Sequence, residues 1–289
     1  VRPLTRESEQ LAVAKRAALA GGAVLASHYR IAGTARWTRK AENDFVTAAD
    51  VASERAIIQT IRRAFPDHSV LAEESGEDGR SEATWIIDPL DGTTNFVHGY
   101  PVASVSVALA VGAEVVVGVV YDPLRQELFW AEKGGGAFMN DDPVRVSGTA
   151  SLRDALLATG FPFRAHEVLD TYLAVFRHLF VASSGMRRAG SAALDLSYVA
   201  CGRVDGFWEF YLKPWDTAAG GLLVREAGGD VTDLFGGPSY REAGHILASN
   251  GRLHADLLTH VAHALDGRTL ACAPPGHRGE PVESTPRLP

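Results

Sequence analysis

Apolar residues fall along this chain in two rhythms. Between residues 6 and 30, Leu11, Ala14, Ala18, Val24 and Leu25 recur at close to helical spacing, which predicts a first helix. In AADVASERAIIQTIRRAFP, the residues Val51, Ile57, Ile58, Ile61 and Phe65 form one broad apolar face and Pro66 stops the run, which predicts a second helix. The rhythm then changes. SVLAEE and TWIID are short strand candidates. VASVSVALAV and AEVVVGVVYD are β-branched runs separated by Gly112, and ELFWAEKGGGAFMN predicts a hairpin with a glycine turn. Residues 69–146 therefore read mostly as sheet following a helical pair.

Beyond residue 150 helix and strand patterns alternate. LLATG, GMRRAG, VDGFWEFY, DVTDLF and HILASN predict strands. HEVLDTYLAVFRHLF and GRLHADLLTHVAHAL predict helices. SAALDLSYVACG predicts a helix opened by Ser191 as N-cap, and DTAAGGLLVREAGG one closed by Gly228 and Gly229. Such alternation implies an α/β layer. The chain thus reads as an α+β half over 1–150, expected to carry most of the chemistry-bearing acids, and an α/β half over 151–265. No internal repeat is present. From about Asp266 to Pro289 the sequence turns rich in Pro, Gly and charge without periodicity, which predicts a disordered tail over 266–289.

Composition narrows the picture. At 289 residues and 46% apolar, the chain can bury a large core, as one large domain or two packed halves. With 28 Lys and Arg against 35 Asp and Glu, the formal charge is -7, which argues against non-specific nucleic-acid binding. No run of 18 uncharged apolar residues exists, and the polar opening VRPLTRESEQ lacks the apolar centre of a signal peptide, so no membrane association is expected. Two distant cysteines, Cys201 and Cys272, suggest a reducing compartment. A soluble cytoplasmic protein is the expectation.

The most informative stretch is WIIDPLDGTTNFVHGY, Trp85 to Tyr100. A buried strand ends at Asp88, and Pro89, lacking an N–H, stops the ladder. The turn that follows lets Asp88 and Asp91 face one pocket, where two carboxylates repel unless a cation lies between them. Oxygen-only ligands select hard ions, Mg²⁺ in particular, and the carbonyl of Leu90 is a further candidate ligand. Asp91-Gly92-Thr93-Thr94 then opens a short helix. Gly92 allows close approach to the backbone, and the N–H groups of Gly92 and Thr93 at the helix start suit an anion. An ordinary Asp N-cap after a turn is the plain alternative.

Three other segments carry acids. LAEES ends a short strand with Glu73 and Glu74, which on a strand point to opposite sides, so that one can ligate a metal and the other orient a water, a solvated acidic loop being the plain alternative. NDFVTAAD sets Asp44, Thr47 and Asp50 before the second helix, where Thr47 or Asp50 can also serve as a cap. KPWDTAAG puts Asp216 at a helix start, placed to face the first pocket if the two halves form one cleft. His98 has no partner at ligand spacing. His254 and His260 read as surface residues of the last helix. Trp208, Phe210 and Tyr211 read as core aromatics. Arg187 and Arg188 face either substrate or a subunit interface, the interface being favoured.

Taken together, these segments resemble the inositol monophosphatase family of Mg²⁺-dependent phosphatases. WIIDPLDGTTNFVHG is similar to its first signature and WDTAAGGLLVREAGG to its second. AEES matches the glutamate motif, with Ala72 where glycine is common, and DFVTAAD matches the early motif. GVVYDP, KGGGAF and RAGSAALDLSYVACGRVDGFWE follow in family order, so the resemblance spans roughly residues 8–265. It implies a layered α-β-α-β-α sandwich and two or three Mg²⁺ ions. Glu73, Asp88 and the Leu90 carbonyl match the ligands of a first ion. Asp88, Asp91 and Asp216 match those of a second, and Glu73 also serves a third. Glu74, Thr93 and Asp50 match groups around the nucleophilic water, and Gly92 and Thr93 the phosphate cradle. Gly190, Ser191, Ala192 and Glu209 match the substrate pocket, with Ser191 where threonine is frequent.

The activity this implies is hydrolysis of myo-inositol 1-phosphate by metal-activated water, with Li⁺ inhibition and a homodimer. Related sugar-phosphate phosphatases, acting on fructose-1,6-bisphosphate or histidinol phosphate, and a regulatory protein that binds a partner on the same fold, are the alternatives.

Overall fold

A computed structural model of the chain describes residues 7–29, 37–41, 44–163, 165–266 and 270. Its first long helix, α1 (Glu9–Tyr29), packs against α2 (Ala48–Ala64), with an antiparallel ribbon of β1 (Trp37–Ala41) and β2 (Asp44–Thr47) between them in sequence. The start of α2 is locally determined. The Thr47 hydroxyl accepts from the Ala49 and Asp50 N–H groups at 3.1 and 3.4 Å, and the Asp50 carboxylate accepts from Thr47 N–H at 2.8 Å, a reciprocal capping box. Thr47 and Asp50 therefore share the cap.

Eight strands build the first sheet: β3 (Ser69–Ala72), β4 (Gly76–Asp78), β5 (Ala83–Asp91), β6 (Ser104–Val111), β7 (Glu114–Asp122), β8 (Glu127–Glu132), β9 (Gly136–Met139) and β10 (Asp142–Val144), with the short helix α3 (Thr93–Val97) between β5 and β6. Their spatial order is β10-β9-β8-β7-β6-β5-β3-β4, antiparallel except where β3 runs parallel to β5. A second sheet holds β11 (Leu156–Thr159), β12 (Gly185–Arg187), β13 (Gly206–Glu209), β14 (Asp230–Thr232) and β15 (Ile246–Ser249) in the order β12-β11-β13-β15-β14. The helices of this half are α4 (Leu169–Ala182), α5 (Ala192–Ala200), α6 (Pro214–Glu226), α7 (Tyr240–Ala243) and α8 (His254–Leu265).

The layers follow from which helices are apolar all round. Residues 192–197 of α5 and 217–224 of α6 are buried without interruption, because this pair lies between the two sheets. The pair α1 and α2 covers the outer face of the first sheet, and α4 and α8 the outer face of the second. The result is the expected α-β-α-β-α sandwich. Helix α6 runs the depth of the middle layer. At its far end the Glu226 carboxylate accepts from the N–H groups of Gly134 and Gly136 at 2.8 and 2.9 Å, holding the β8–β9 turn.

Three expectations are corrected. The strand of WIID does not end at Asp88: Pro89 interrupts the ladder, but β5 runs on to Asp91, which pairs with Ser104. SVLAEE does not stay extended to its end: β3 stops at Ala72, which pairs with Gly76 on β4, so Glu73 and Glu74 lie in the turn between them and the opposite-face rule of a strand does not apply. His254 is not a surface residue. It is 7% exposed, with Nε2 2.9 Å from Thr232 Oγ1 and Nδ1 3.0 Å from Ser249 Oγ. The tail read as disordered lies outside the described residues, Asp266 and Leu270 apart.

Candidate active site

A bulge makes the site. Positions 88 and 91 are an odd number apart, so on a regular strand their side chains face opposite sides of the sheet. In β5, however, Asp88 pairs with Ser106 and Asp91 with Ser104, three residues on one strand against two on the other. The extra residue at Pro89-Leu90 returns Asp91 to the face that Asp88 occupies. The Leu90 side chain turns into the core beneath α1 and α2 and is 1% exposed. Asp88 Oδ1 accepts from Leu90 N–H at 2.9 Å, and Ser53 Oγ donates to the Pro89 carbonyl at 2.9 Å, so both the bulge and its acid are held in place.

Asp216 completes the cluster from the middle layer. It stands in the first turn of α6 and accepts from Lys213 N–H at 2.6 Å, while Ser106 on β6 donates to the Trp215 carbonyl at 3.1 Å and ties that helix start to the first sheet. One carboxylate oxygen from each of Asp88, Asp91 and Asp216 lies within 4.8 Å of the others. Burial and mutual repulsion push Asp88 and Asp91 up. Asp88 rises well above the usual carboxylate range through desolvation, then through the charges of Glu73, Asp91 and Asp216. Asp91 is pushed up to about 7 by burial and by Asp216, against hydrogen bonds from the start of α5. Those include the Ser191 hydroxyl at 2.7 Å and Ala193 N–H at 2.8 Å.

A cleft of about 180 Å³ opens over this cluster, lined by Glu73, Asp88, Leu90, Asp91, Gly92, Thr93, Gly190, Glu209 and Asp216 among the residues singled out in the sequence. Gly92 is in the left-handed region at φ 98°, and a side chain there would meet the Val102 carbonyl at 2.9 Å and that of Gly190 at 3.1 Å. The Thr93 hydroxyl is 3.3 Å from Asp50 Oδ1 and 3.1 Å from the Leu90 carbonyl. Asp50 thus meets the cleft through Thr93. Glu74 N–H donates to Glu54 Oε2 at 2.9 Å, and Glu74 is not among the lining residues. Ser191 and Ala192 stand behind Asp91 rather than on the cleft surface, with Ser191 capping α5. Glu209, at the end of β13, rises well above its ordinary range through burial, then through Asp216 and Asp195.

Several residues were not singled out by sequence reasoning. Asn95 Nδ2 donates to the carbonyls of Val102, Ala189 and Gly190 at 3.0, 2.9 and 3.3 Å, joining α3 to the strand that leads into α5. Its signal was its place within the DGTTN motif. Asp195 is buried on α5 and raised by burial and by Asp91. Phe161, Pro162 and Phe163 form one wall, for which nothing in the sequence gave a sign. Arg188 lines the cleft as well, on the side the sequence reading disfavoured.

The donor set is carboxylates and one carbonyl. It is the chemistry that a hard divalent cation takes, and the crowding that raises Asp88 and Asp91 is what such an ion relieves. Glu73, Asp88, Asp91, Asp216 and the Leu90 carbonyl can hold Mg²⁺.

Residues 6–266 match the model of the inositol monophosphatase family, and the chain belongs to that family. It is 48% identical over 257 residues to the Nus factor SuhB of Pasteurella multocida, covering 88% of this chain and 96% of that protein. The structure of an inositol monophosphatase from Anabaena (Nostoc) shares 46% identity at a TM-score of 0.80, covering 88% of this chain and 95% of that one. The extragenic suppressor protein suhB from Bartonella henselae shares 43% at a TM-score of 0.84, covering 88% and 98%.

Proposed function

We propose that this protein is a Mg²⁺-dependent phosphomonoesterase whose substrate is myo-inositol 1-phosphate or a closely related sugar phosphate. The observation that carries this is the bulge that brings Asp88 and Asp91 onto one face, opposite Asp216. Ions held there supply Lewis-acid stabilisation of phosphoryl charge and an acidified water. Glu73, Asp88 and the Leu90 carbonyl would hold a first ion, Asp88, Asp91 and Asp216 a second, and Glu73 a third.

The chain's own groups do the rest. Thr93, steadied by Asp50, accepts a hydrogen bond from the attacking water and aims it, with Glu74 holding the turn that carries Glu73. The N–H groups of Gly92 and Thr93 bind the phosphoryl oxygens, which gain charge as the ester bond breaks. Gly190, whose missing side chain makes room for Arg188 Nη1 and Asn95, borders the polyol beside Gly92, and Glu209 accepts from the polyol's hydroxyls. Ser191 and Ala192 keep Asp91 pointed at the cluster. Inhibition by Li⁺ belongs to the same reading.

Phosphate release with Mg²⁺ tests this, on a panel of inositol 1-phosphate, fructose 1,6-bisphosphate, histidinol phosphate and 3'-phosphoadenosine phosphate, with Asp91→Asn as control. Preference for the first supports the reading, and preference for another moves the substrate but keeps the chemistry. No release from any, with Mg²⁺ binding intact, favours a second reading: a regulatory protein that binds a partner on this fold. The name Nus factor carried by relatives at 47–48% identity favours that role alongside catalysis. A pull-down from the native host tests it.

A homodimer is supported by α4. Leu169, Leu173 and Phe180 are 45%, 48% and 56% exposed along one helical face, and Phe176 stacks on Phe180 with centroids 5.7 Å apart. A continuous apolar stripe of this kind suits a second copy of the chain.

A further inference from the structure

One wall of the cleft holds a cation that the reading above does not use. Phe161 and Phe163, on the loop after β11, meet edge to face with centroids 5.6 Å apart, and Phe161 in turn meets the edge of Tyr172 at 5.7 Å. Arg188, which follows β12, lays its guanidinium over both phenylalanines at 5.2 and 4.8 Å. Its Nη1 lies against Gly190, where a Cβ would sit 2.7 Å from it. The group is therefore fixed between two rings and a glycine. That glycine's carbonyl is itself the neighbour of Gly92 in the phosphate cradle.

Three features point to an anion. Among the described residues lining the cleft, Arg188 is the one Lys or Arg, facing a site otherwise rich in carboxylates. Among the described residues, none accepts a hydrogen bond from its guanidinium, so the planar fork of donors is held by ring faces alone and remains available. Its charge also acts on the cleft, favouring the ionised forms of Glu209 and Asp195. An arginine preorganised on aromatic faces, with its donors unspent, is what bidentate recognition of a phosphate or carboxylate requires.

We infer that Arg188, clamped by Phe161 and Phe163, binds a second anionic group on the substrate, away from the ester being hydrolysed. It thereby admits doubly anionic sugar phosphates to a cleft whose acids otherwise repel them. This rests on the phosphomonoesterase reading and deepens it. Glu209, on the same side of the cleft, opposes a second anion and favours neutral hydroxyls. The two residues together set the balance between a polyol monophosphate and a bisphosphate.

The test compares kcat/KM for inositol 1-phosphate, fructose 1,6-bisphosphate and 6-phosphogluconate in the Mg²⁺-loaded protein and its Arg188→Gln, Arg188→Lys and Glu209→Gln variants. Arg188→Gln is expected to lose roughly ten- to a hundredfold on the bisphosphate while staying within about threefold on inositol 1-phosphate. Arg188→Lys recovers part of the loss, and Glu209→Gln shifts the ratio the other way. A matching loss on 6-phosphogluconate assigns the subsite to carboxylates as well as phosphates. Equal losses on all three substrates overturn the inference, because Arg188 would then serve the hydrolysed phosphate or the fold. No loss on any also overturns it. If the wild type releases no phosphate, the phosphatase reading fails. Calorimetric binding of the same three probes then decides the subsite, and equal affinities for wild type and Arg188→Gln sink it.

Discussion

Asp88 and Asp91 share one face of β5 only because the strand takes an extra residue between them, pairing with Ser106 and Ser104 two positions apart. The acids are thereby forced together, and their raised proton affinities record the cost of that placement.

The first prediction concerns that cost. Asp91 is ionised in the unfolded chain above its ordinary 3.8 but in the metal-free fold only above about 7, so between these values the folded form holds more protons. Stability of the metal-free protein from this group is present below 3.8 and lost as pH rises through 7. Thermal midpoints in EDTA should fall from pH 5 to pH 8, and Mg²⁺ should reverse the fall. Asp91→Asn should flatten the profile and lower turnover by about a thousandfold or more. Near-normal turnover in that variant would sink the metal assignment.

Gly92→Ala places a side chain against two carbonyls in a left-handed backbone conformation. A loss of about 1–3 kcal/mol is expected in urea unfolding, with a larger fall in phosphate release than stability accounts for. An unchanged unfolding midpoint would show that the turn relaxes freely.

Asn95→Ala removes the donor shared by the Val102, Ala189 and Gly190 carbonyls. About 1–3 kcal/mol of stability should go with it, from carbonyls left without a partner. Because Gly190 borders the substrate pocket, KM should rise more than kcat falls. Steady-state kinetics at matched temperature separates the two.

His254 is held neutral by burial, with its pKa lowered from 6.5. The unfolded chain takes up a proton that the fold resists, so this contribution is present above pH 6.5 and lost as pH falls through the lowered folded value. Between pH 7 and pH 5 the wild type should lose more stability than His254→Gln, which keeps a polar partner for Thr232 and Ser249. Parallel profiles for the two proteins would remove His254 as the cause.

Phe180→Glu breaks the apolar stripe of α4 without touching the cleft. Light scattering should show a shift from dimer toward monomer with phosphate release retained. A monomeric wild type would refute the dimer outright.

Much of this was legible in the chain. The long helices followed from period, because burial on one face writes itself into local pattern, whereas the layer order came only from the family resemblance. DPLDGTTN announced its acids, but Pro89 marks a bulge within β5 rather than the end of the strand and a turn, because pairing resumes at Asp91. His254 was misread although the signal was present: it shares helical spacing with Leu257, Val261 and Leu265, all buried. A histidine at the head of an apolar stripe belongs to the core when hydroxyls such as those of Thr232 and Ser249 wait for both ring nitrogens. The short strands β1, β4 and β10 and the one-turn α7 escaped because three to five residues carry too little periodicity. The Arg188 clamp was out of reach for another reason. It depends on where the loop of Phe161 and Phe163 lands, which is a matter of tertiary approach and leaves no local mark.

Helix α6 has a consequence of its own. Asp216 stands in its first turn, and Glu226 at its other end grips the β8–β9 turn. Thirteen residues make a rod about 20 Å long. By that lever arm, a tilt of about three degrees pivoted at the hairpin moves Asp216 by about 1 Å. The surface turn of residues 133–136 is thus a distant anchor for the ruler that sets the spacing of the acidic cluster.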